Sequence, residues 1–159
     1  MRILIVSDTH GHTANLEKVI YKVGEIDVLV HCGDIEGNED YIASLVDCPC
    51  YMVAGNNDWF SDLKREVEVD FDDFRVWITH GHNYGASMGT ERLREEAEAR
   101  GINVVMYGHT HRPLIEQEGN LSIVNPGSLS YPRQMGRKPS FLIMEIDREH
   151  ELHFTINYL

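Results

Sequence analysis

The first half of the chain alternates short apolar runs with amphipathic stretches. Ile3 to Val6 is a continuous apolar run of strand length. Ala14 to Val23 carries apolar residues at 16, 19, 20 and 23, the spacing of a helix face, behind Thr13 as a helix N-cap. Val28 to Val30 predicts a second strand that runs into His31-Cys32-Gly33-Asp34. Residues 39 to 46 predict a short helix, and Tyr51 to Val53 a third strand ending at Gly55. Strands alternating with helices point to parallel βαβ units. Arg75 to Thr79 follows as a strand, then a long charged helix from about Gly89 to Arg100, stopped by Gly101. Its Glu and Arg residues at i,i+4 spacing read as a solvated face, not a binding surface. Val104 to Tyr107 is a further buried strand.

Beyond residue 107 the pattern changes. Leu114 to Glu116, Leu121 to Val124, Ser140 to Ile146 and Leu152 to Tyr158 are short strands joined by turns such as Glu118-Gly119-Asn120, which predicts hairpins and antiparallel pairing. The expected architecture is α/β: two packed mixed sheets with helices outside, a four-layer α/β/β/α sandwich. No repeat, low-complexity tract or linker interrupts it, so residues 1–159 are read as one domain.

Composition adds exclusions. Apolar residues make up 42% and charged residues 25%, an ordinary globular balance. No apolar run approaches the ~20 residues of a membrane span, and MRILIVSDTHGH lacks the long apolar stretch of a signal peptide. The expected location is the cytoplasm, with no membrane partner. Three cysteines without a secretion signal argue against a disulfide framework, and Cys48-Pro49-Cys50 reads as small buried residues flanking a turn. A net charge of −12 opposes binding to duplex nucleic acid. Two divalent cations held by carboxylates would bring that charge to −8 and concentrate positive potential at one place.

The ionisable residues sit where such ions would be held. Asp8 and His10 follow the first predicted strand, Asp34 the second, Asn56 and Asp58 the third, His80 the fourth, and His109 and His111 the fifth. Ligands of open α/β sheets bind at the carboxyl ends of strands. Asp8-Thr9-His10 and His109-Thr110-His111 have i,i+2 spacing, so both side chains of each pair can face one ion. Carboxylate, imidazole and amide oxygen together suit manganese, iron, zinc or nickel. Seven ligands are too many for one ion and about right for two that share a carboxylate.

The ordered set Asp8-Thr9-His10, Gly33-Asp34, Gly55-Asn56-Asn57-Asp58, His80 and Gly108-His109-Thr110-His111 resembles the motifs of the calcineurin-like metallophosphoesterases. Val124-Asn125-Pro126-Gly127-Ser128 and Tyr131-Pro132-Arg133 extend the resemblance to the small prokaryotic YfcE-type phosphodiesterase branch. The resemblance implies one metal held by Asp8, His10, Asp34 and His111. A second would be held by Asp34, Asn56, His80 and His109, with Asp34 bridging. Two divalent ions, manganese first, with nickel, iron or zinc as alternatives, would activate a bridging hydroxide for attack on a small or nucleotide-like phosphodiester. It also implies a homo-oligomer, dimer or tetramer.

One position departs from the family pattern. Asn57 stands where the family carries a histidine, a candidate general acid. An amide donates a hydrogen bond but does not give up a proton near pH 7. A positioned acid contributes about 10²–10⁴-fold, so poor leaving groups should suffer most. The candidate catalytic residues are Asp34, Asn57 and Asp58, the last as an orienting group for a ligand or the turn. Arg112, Ser128 and Arg133 are candidate substrate contacts, with surface salt bridges as the competing reading of the two arginines and a plain strand-linking turn as that of residues 125–128. His12 and His82 are read either as pocket lining or as loop histidines, His31 as a packed histidine, and His150 and His153 as surface residues without a partner. Trp59, Phe60 and Phe74 are read as core or interface. The alternative functions are a non-catalytic metal-binding scaffold of the same fold and a phosphomonoesterase, which Asn57 disfavours.

Overall fold

The computed structural model describes residues 1–159. In chain order the elements are β1 (Arg2–Val6), α1 (Ala14–Val23), β2 (Val28–His31), α2 (Glu39–Ser44), β3 (Cys50–Met52), β4 (Glu66–Phe71), β5 (Phe74–Thr79), α3 (Glu91–Arg100), β6 (Val104–Met106), β7 (Pro113–Glu118), β8 (Leu121–Pro126), β9 (Ser140–Ile146) and β10 (Leu152–Tyr158), with a 3₁₀ turn at His82–Tyr84. One sheet has the order β10-β9-β1-β2-β3 and the other β4-β5-β6-β8-β7. Within them β1, β2 and β3 are mutually parallel, as are β5, β6 and β8.

Strand alternation builds the layers. Ile3 and Ile5 of β1 point into the space between the sheets, with Val76 and Ile78 of β5, Val104 and Met106 of β6, and Leu142 and Met144 of β9. Leu4 and Val6, one residue out of step, pack outward against Leu16 and Val19 of α1 and Ile42 of α2. On the opposite side Trp77, Val105 and Ile123 meet Leu93 and Ala97 of α3. Three apolar layers between two sheets and their outer helices make the expected four-layer α/β/β/α sandwich. Each large apolar side chain so buried is worth roughly 1.5–3 kcal/mol.

Local details depart from the expected pattern in four ways. Thr13 occupies the N-cap position of α1 but its side chain caps nothing; its Oγ1 donates instead to the Glu17 carboxylate at 3.0 Å. The strand β4 was not anticipated. Its alternation is Val67, Val69 and Phe71 against Glu66, Glu68 and Asp70, and acidic residues are poor strand formers. It is stabilised by antiparallel pairing with β5 and by Arg100, whose guanidinium binds Glu66 and Glu68 and lies 4.5 Å from the Trp77 ring. The hairpins β7–β8 and β9–β10 form as expected, yet β8 also runs parallel to β6. Finally, Trp59 and Phe60 are not core residues: they are 78% and 103% exposed, whereas Phe74 packs against the inter-sheet core. No helix is long and apolar enough to cross a membrane.

Two substitutions in α1 separate packing from capping. Leu16→Ala should cost about 2–5 kcal/mol in urea unfolding, because Leu16 is fully buried. Thr13→Ala should cost less than about 0.5 kcal/mol, below the ~1 kcal/mol of a true N-cap. A Thr13→Ala cost near 1 kcal/mol would mean that the hydroxyl caps the helix in solution.

Candidate metal centre

The carboxyl ends of β1, β2 and β3 in one sheet and of β5 and β6 in the other open onto a common edge. The loops leaving them carry Asp8 and His10, Asp34, Asn56, His80, and His109 and His111. Asp8, His10, Asp34, His109 and His111 all adopt positive φ, between 46° and 67°, as does the neighbouring Glu36. Left-handed backbone costs a non-glycine residue roughly 1–2 kcal/mol. Six such residues in one place mark a geometry that the surrounding structure imposes for a purpose. Glycines make room for it. A Cβ on Gly55 would lie 2.1 Å from Oδ1 of Asp34, and one on Gly108 2.0 Å from Oγ of Ser7 and 3.0 Å from Oδ2 of Asp8.

The histidine rings are turned by their outer nitrogens. Nδ1 of His80 donates to the Cys32 carbonyl at 2.7 Å, Nδ1 of His111 to the Tyr131 carbonyl at 2.7 Å, and Nδ1 of His10 to the Glu36 carboxylate at 2.7 Å. With Nδ1 so engaged, each ring turns its Nε2 inward. The inner nitrogens then face only acceptors. Nε2 of His10 lies 3.3 Å from Nε2 of His111, and Nε2 of His80 lies 3.1 Å from Oδ1 of Asn56 and 3.5 Å from Oδ2 of Asp34. Nδ1 of His109 approaches the same Asn56 oxygen at 2.9 Å. Oδ1 of Asp8 is buried with no hydrogen bond, 3.1 Å from Nε2 of His111. Asp8, His10 and His111, and likewise Asp8, Asp34 and His80, bring one donor atom each within 4.8 Å of one another.

Converging lone pairs and an orphaned buried carboxylate oxygen repel unless protons or cations lie between them. Donors of this type, oriented by carbonyls and a carboxylate behind them, fit divalent metal ions. Electrostatics agree. Burial pushes the Asp34 carboxyl up, but His80, the Asn57 N–H and His10 together hold it well below the ordinary carboxylate range. Asp8 is likewise lowered against its burial, chiefly by His111 and His80. His80 is raised despite burial, by Asp34 and Asp8, so an incoming cation competes with its proton.

The other anticipated residues separate into three groups. Asp58 is buried and accepts from three backbone N–H groups, those of Ile35 at 2.9 Å, Glu36 at 2.6 Å and Gly55 at 2.7 Å, so it ties the second and third loops together. Asn57 donates to both oxygens of Asp34, from its backbone N–H at 2.9 Å and its amide at 2.8 Å. Its side chain is engaged with the central carboxylate and does not stand free for a leaving group. Ser128 is not a substrate contact. It is fully buried, donates to the Asp8 carbonyl at 2.9 Å and accepts from the N–H groups of Ser130 and Tyr131. Arg112 and Arg133 are exposed, form no salt bridge, and line an open cavity of ≈ 750 Å³ beside His10 and His111.

Among the remaining histidines, His31 is packed as expected. Its Nδ1 accepts from the Gly33 N–H at 3.2 Å, which leaves Nε2–H to donate to Thr9 Oγ1 at 3.0 Å. His12 is exposed and contacts the Tyr131 hydroxyl, and His82 is half-buried with its ring 5.4 Å from that of His80. His150 and His153 are at the surface but do have partners, Asp72 and Asp147. Cys48 and Cys50 are half-buried, and all three cysteines are free. The supporting roles of three residues are not legible in the sequence. Glu36 orients His10, Asn125 binds the Gly108 carbonyl and Thr110, and Thr9 anchors the first loop to His31. Glu36 lies two residues beyond Asp34, but nothing in its spacing shows that it turns back toward His10.

The family can now be stated on independent grounds. Residues 1–149 match the model of the calcineurin-like phosphoesterase superfamily domain. The chain belongs to that family. It is 38% identical to the phosphodiesterase YfcE of Escherichia coli, over 92% of this chain and 89% of that one. A predicted phosphoesterase of Streptococcus pneumoniae superposes with a TM-score of 0.81 at 27% identity, covering 99% of this chain and 97% of the other. Vps29 of Entamoeba histolytica in its zinc complex has the same fold, with a TM-score of 0.78 at 20% identity over 99% of both chains. Membership of a metallophosphoesterase family implies divalent metal ions, and the donor set described above fits them.

Two measurements test this construction. Gly108→Ala forces the added methyl group against Ser7 and Asp8, and should weaken Mn²⁺ binding in calorimetry by tenfold or more while the far-UV spectrum is kept; unchanged affinity would show that the loop yields. Burial holds His31 down to about 4, against a usual value of 6.5. Below about pH 6.5 the unfolded chain takes a proton that the folded chain refuses, so stability falls as pH drops toward 4, by up to ~1.4 kcal/mol per pH unit from this group. His31→Gln should flatten the pH dependence of urea unfolding of metal-free protein by about one proton. An identical slope in the variant would contradict the neutral assignment.

Proposed function

We propose that this chain is a metal-dependent phosphodiesterase with a dinuclear centre. The supporting observation is the donor set itself: seven acceptor groups from two sheets converge, with no protein nucleophile among them. Asp8, His10, Asp34 and His111 would hold one ion and Asp34, Asn56, His80 and His109 the other, manganese being the first choice and nickel, iron or zinc alternatives. Such ions, when bound, would neutralise charge at the phosphoryl group and lower the pKa of the attacking water. The chain supplies geometry. Asn57 clamps both oxygens of Asp34, the carboxylate that the two ions would share, and Asp58 fixes the loops on either side of it. Arg112 and Arg133 line the cavity beside His10 and His111, which supports a role in substrate binding.

Proton donation to the leaving group is the weak link. The Asn57 amide is committed to Asp34. His82, held to about 4 by burial and by neighbouring His80 and Arg65, is unprotonated at neutral pH. Aryl esters, whose phenolates leave unaided, therefore suit this site better than alkyl esters, and diesters better than alkyl monoesters. A second reading, a metal-binding interaction scaffold, has one observation in its favour: Trp59 and Phe60 are exposed directly after the Asn56-Asn57-Asp58 turn.

Metal-stripped protein should hydrolyse bis-p-nitrophenyl phosphate only after Mn²⁺ is added. Asp34→Asn should lower that turnover at least ~100-fold, since loss of supporting groups alone costs 10–100-fold. Metal binding without turnover for Mn²⁺, Zn²⁺, Ni²⁺ and Co²⁺ would replace the enzyme reading with the scaffold.

A further inference from the structure

The chain carries 26 acidic and 14 basic residues, yet two surface depressions that share Arg112 and Arg133 have no carboxylate in their linings. The ≈ 750 Å³ cavity that opens beside His10 and His111 is bounded by Arg112, Arg133 and Arg137, together with Ser130 and Tyr131. None of the three arginines pairs with an acidic residue; Arg65, Arg92 and Arg148 are also without an ion pair, whereas Arg2, Arg75, Arg94 and Arg100 have one, so what sets the three apart is that they line one cavity. An acidic protein that leaves three guanidinium groups together and unneutralised keeps a local field that attracts anions.

The arginine segment is also tied to the metal centre. The Tyr131 carbonyl accepts from Nδ1 of His111, and the Arg133 N–H donates to the His111 carbonyl at 2.9 Å. One histidine thus joins the segment by its ring and by its backbone, which fixes the distance between the arginines and the centre. Arg137 sits at the end of the same segment with φ 46°, in a turn closed by its N–H on the Gln134 carbonyl at 3.0 Å.

The scissile group of a phosphodiester carries one negative charge, which two divalent cations, less the carboxylate charges of Asp8 and Asp34 and that of the attacking hydroxide, would already balance. Three further guanidinium groups on one side exceed what that group requires. Arg binds phosphate through paired N–H donors, and two or three arginines match a dianionic phosphate monoester. We infer that the arginine cavity is a subsite for a second, terminal phosphate, so that the preferred substrate is a phosphodiester carrying a phosphate monoester elsewhere in the same molecule. This inference rests on the phosphodiesterase reading for its catalytic half and on the cavity alone for its binding half.

Two substrates isolate the second phosphate. Thymidine 5′-(p-nitrophenyl phosphate) and its 3′-phosphorylated form share the scissile bond and the leaving group. With Mn²⁺-loaded protein, kcat/KM for the 3′-phosphorylated ester should be about tenfold higher or more, mainly through KM, and the advantage should shrink as salt rises. Arg137→Gln, and the double variant Arg112→Gln/Arg133→Gln, should bring the ratio toward one. Equal kcat/KM for the two esters in the unaltered protein would overturn the subsite. Binding is measured separately by calorimetry with thymidine 3′-monophosphate against thymidine on metal-free protein. Tighter binding of the monophosphate, lost in Arg137→Gln, supports the subsite even if no ester is turned over, in which case only the diesterase reading fails. Equal binding of the nucleotide and the nucleoside, whatever the activity, counts against the subsite.

Discussion

Mutual repulsion among buried acceptors is the constraint around which this molecule is arranged. Asp8, Asp34, Asn56 and four imidazoles present lone pairs to one small volume, and the donors around them leave Oδ1 of Asp8 buried without a hydrogen bond. A structure can hold such a cluster only if every member is restrained from behind. The restraints are identifiable: backbone carbonyls of Cys32 and Tyr131, the Glu36 carboxylate, the N–H groups that Asp58 gathers, and Asn57 on Asp34. The left-handed backbone at Asp8, His10, Asp34, His109 and His111 is the conformational cost of aiming these side chains inward at the ends of strands.

Much of this was legible in the chain because two independent signals coincided. Apolar runs located β1, β2, β5 and β6, and the ionisable residues fell just past their ends. Either signal alone is weak; a lone Asp after a strand is an ordinary turn residue. The strand β4 was not legible, because Glu66, Glu68 and Asp70 hide the alternation of Val67, Val69 and Phe71, and Arg100, which binds two of these carboxylates, comes from a distant position. Thr13 has the right type and place for a cap, but its hydroxyl found a better acceptor in Glu17.

Roles behind the donors were harder to read than the donors themselves. Ser128 and Asn57 were placed near the centre by their motifs, which is where they lie. Whether a hydroxyl faces solvent or the Asp8 carbonyl depends on loop packing that spacing does not encode. The same holds for Glu36, which is local in sequence to Asp34 but serves His10. Residues that touch a ligand are constrained by chemistry and so announce themselves by type. Residues that hold other residues can be any group with a hydrogen bond to give.

The division of the donors between the sheets has a mechanical consequence. Asp8, His10, Asp34 and Asn56 hang from the β1–β3 sheet, and His80, His109 and His111 from the β5–β6 sheet. Neither half is a site by itself. An ion bound by donors from both acts as a rivet across the seam of the sandwich, at the edge where the two halves would first part. Occupancy and the seating of one sheet on the other are then a single equilibrium, and anything that loosens the seam, from heat to a bulky residue in the inter-sheet core, is felt first as a loss of metal.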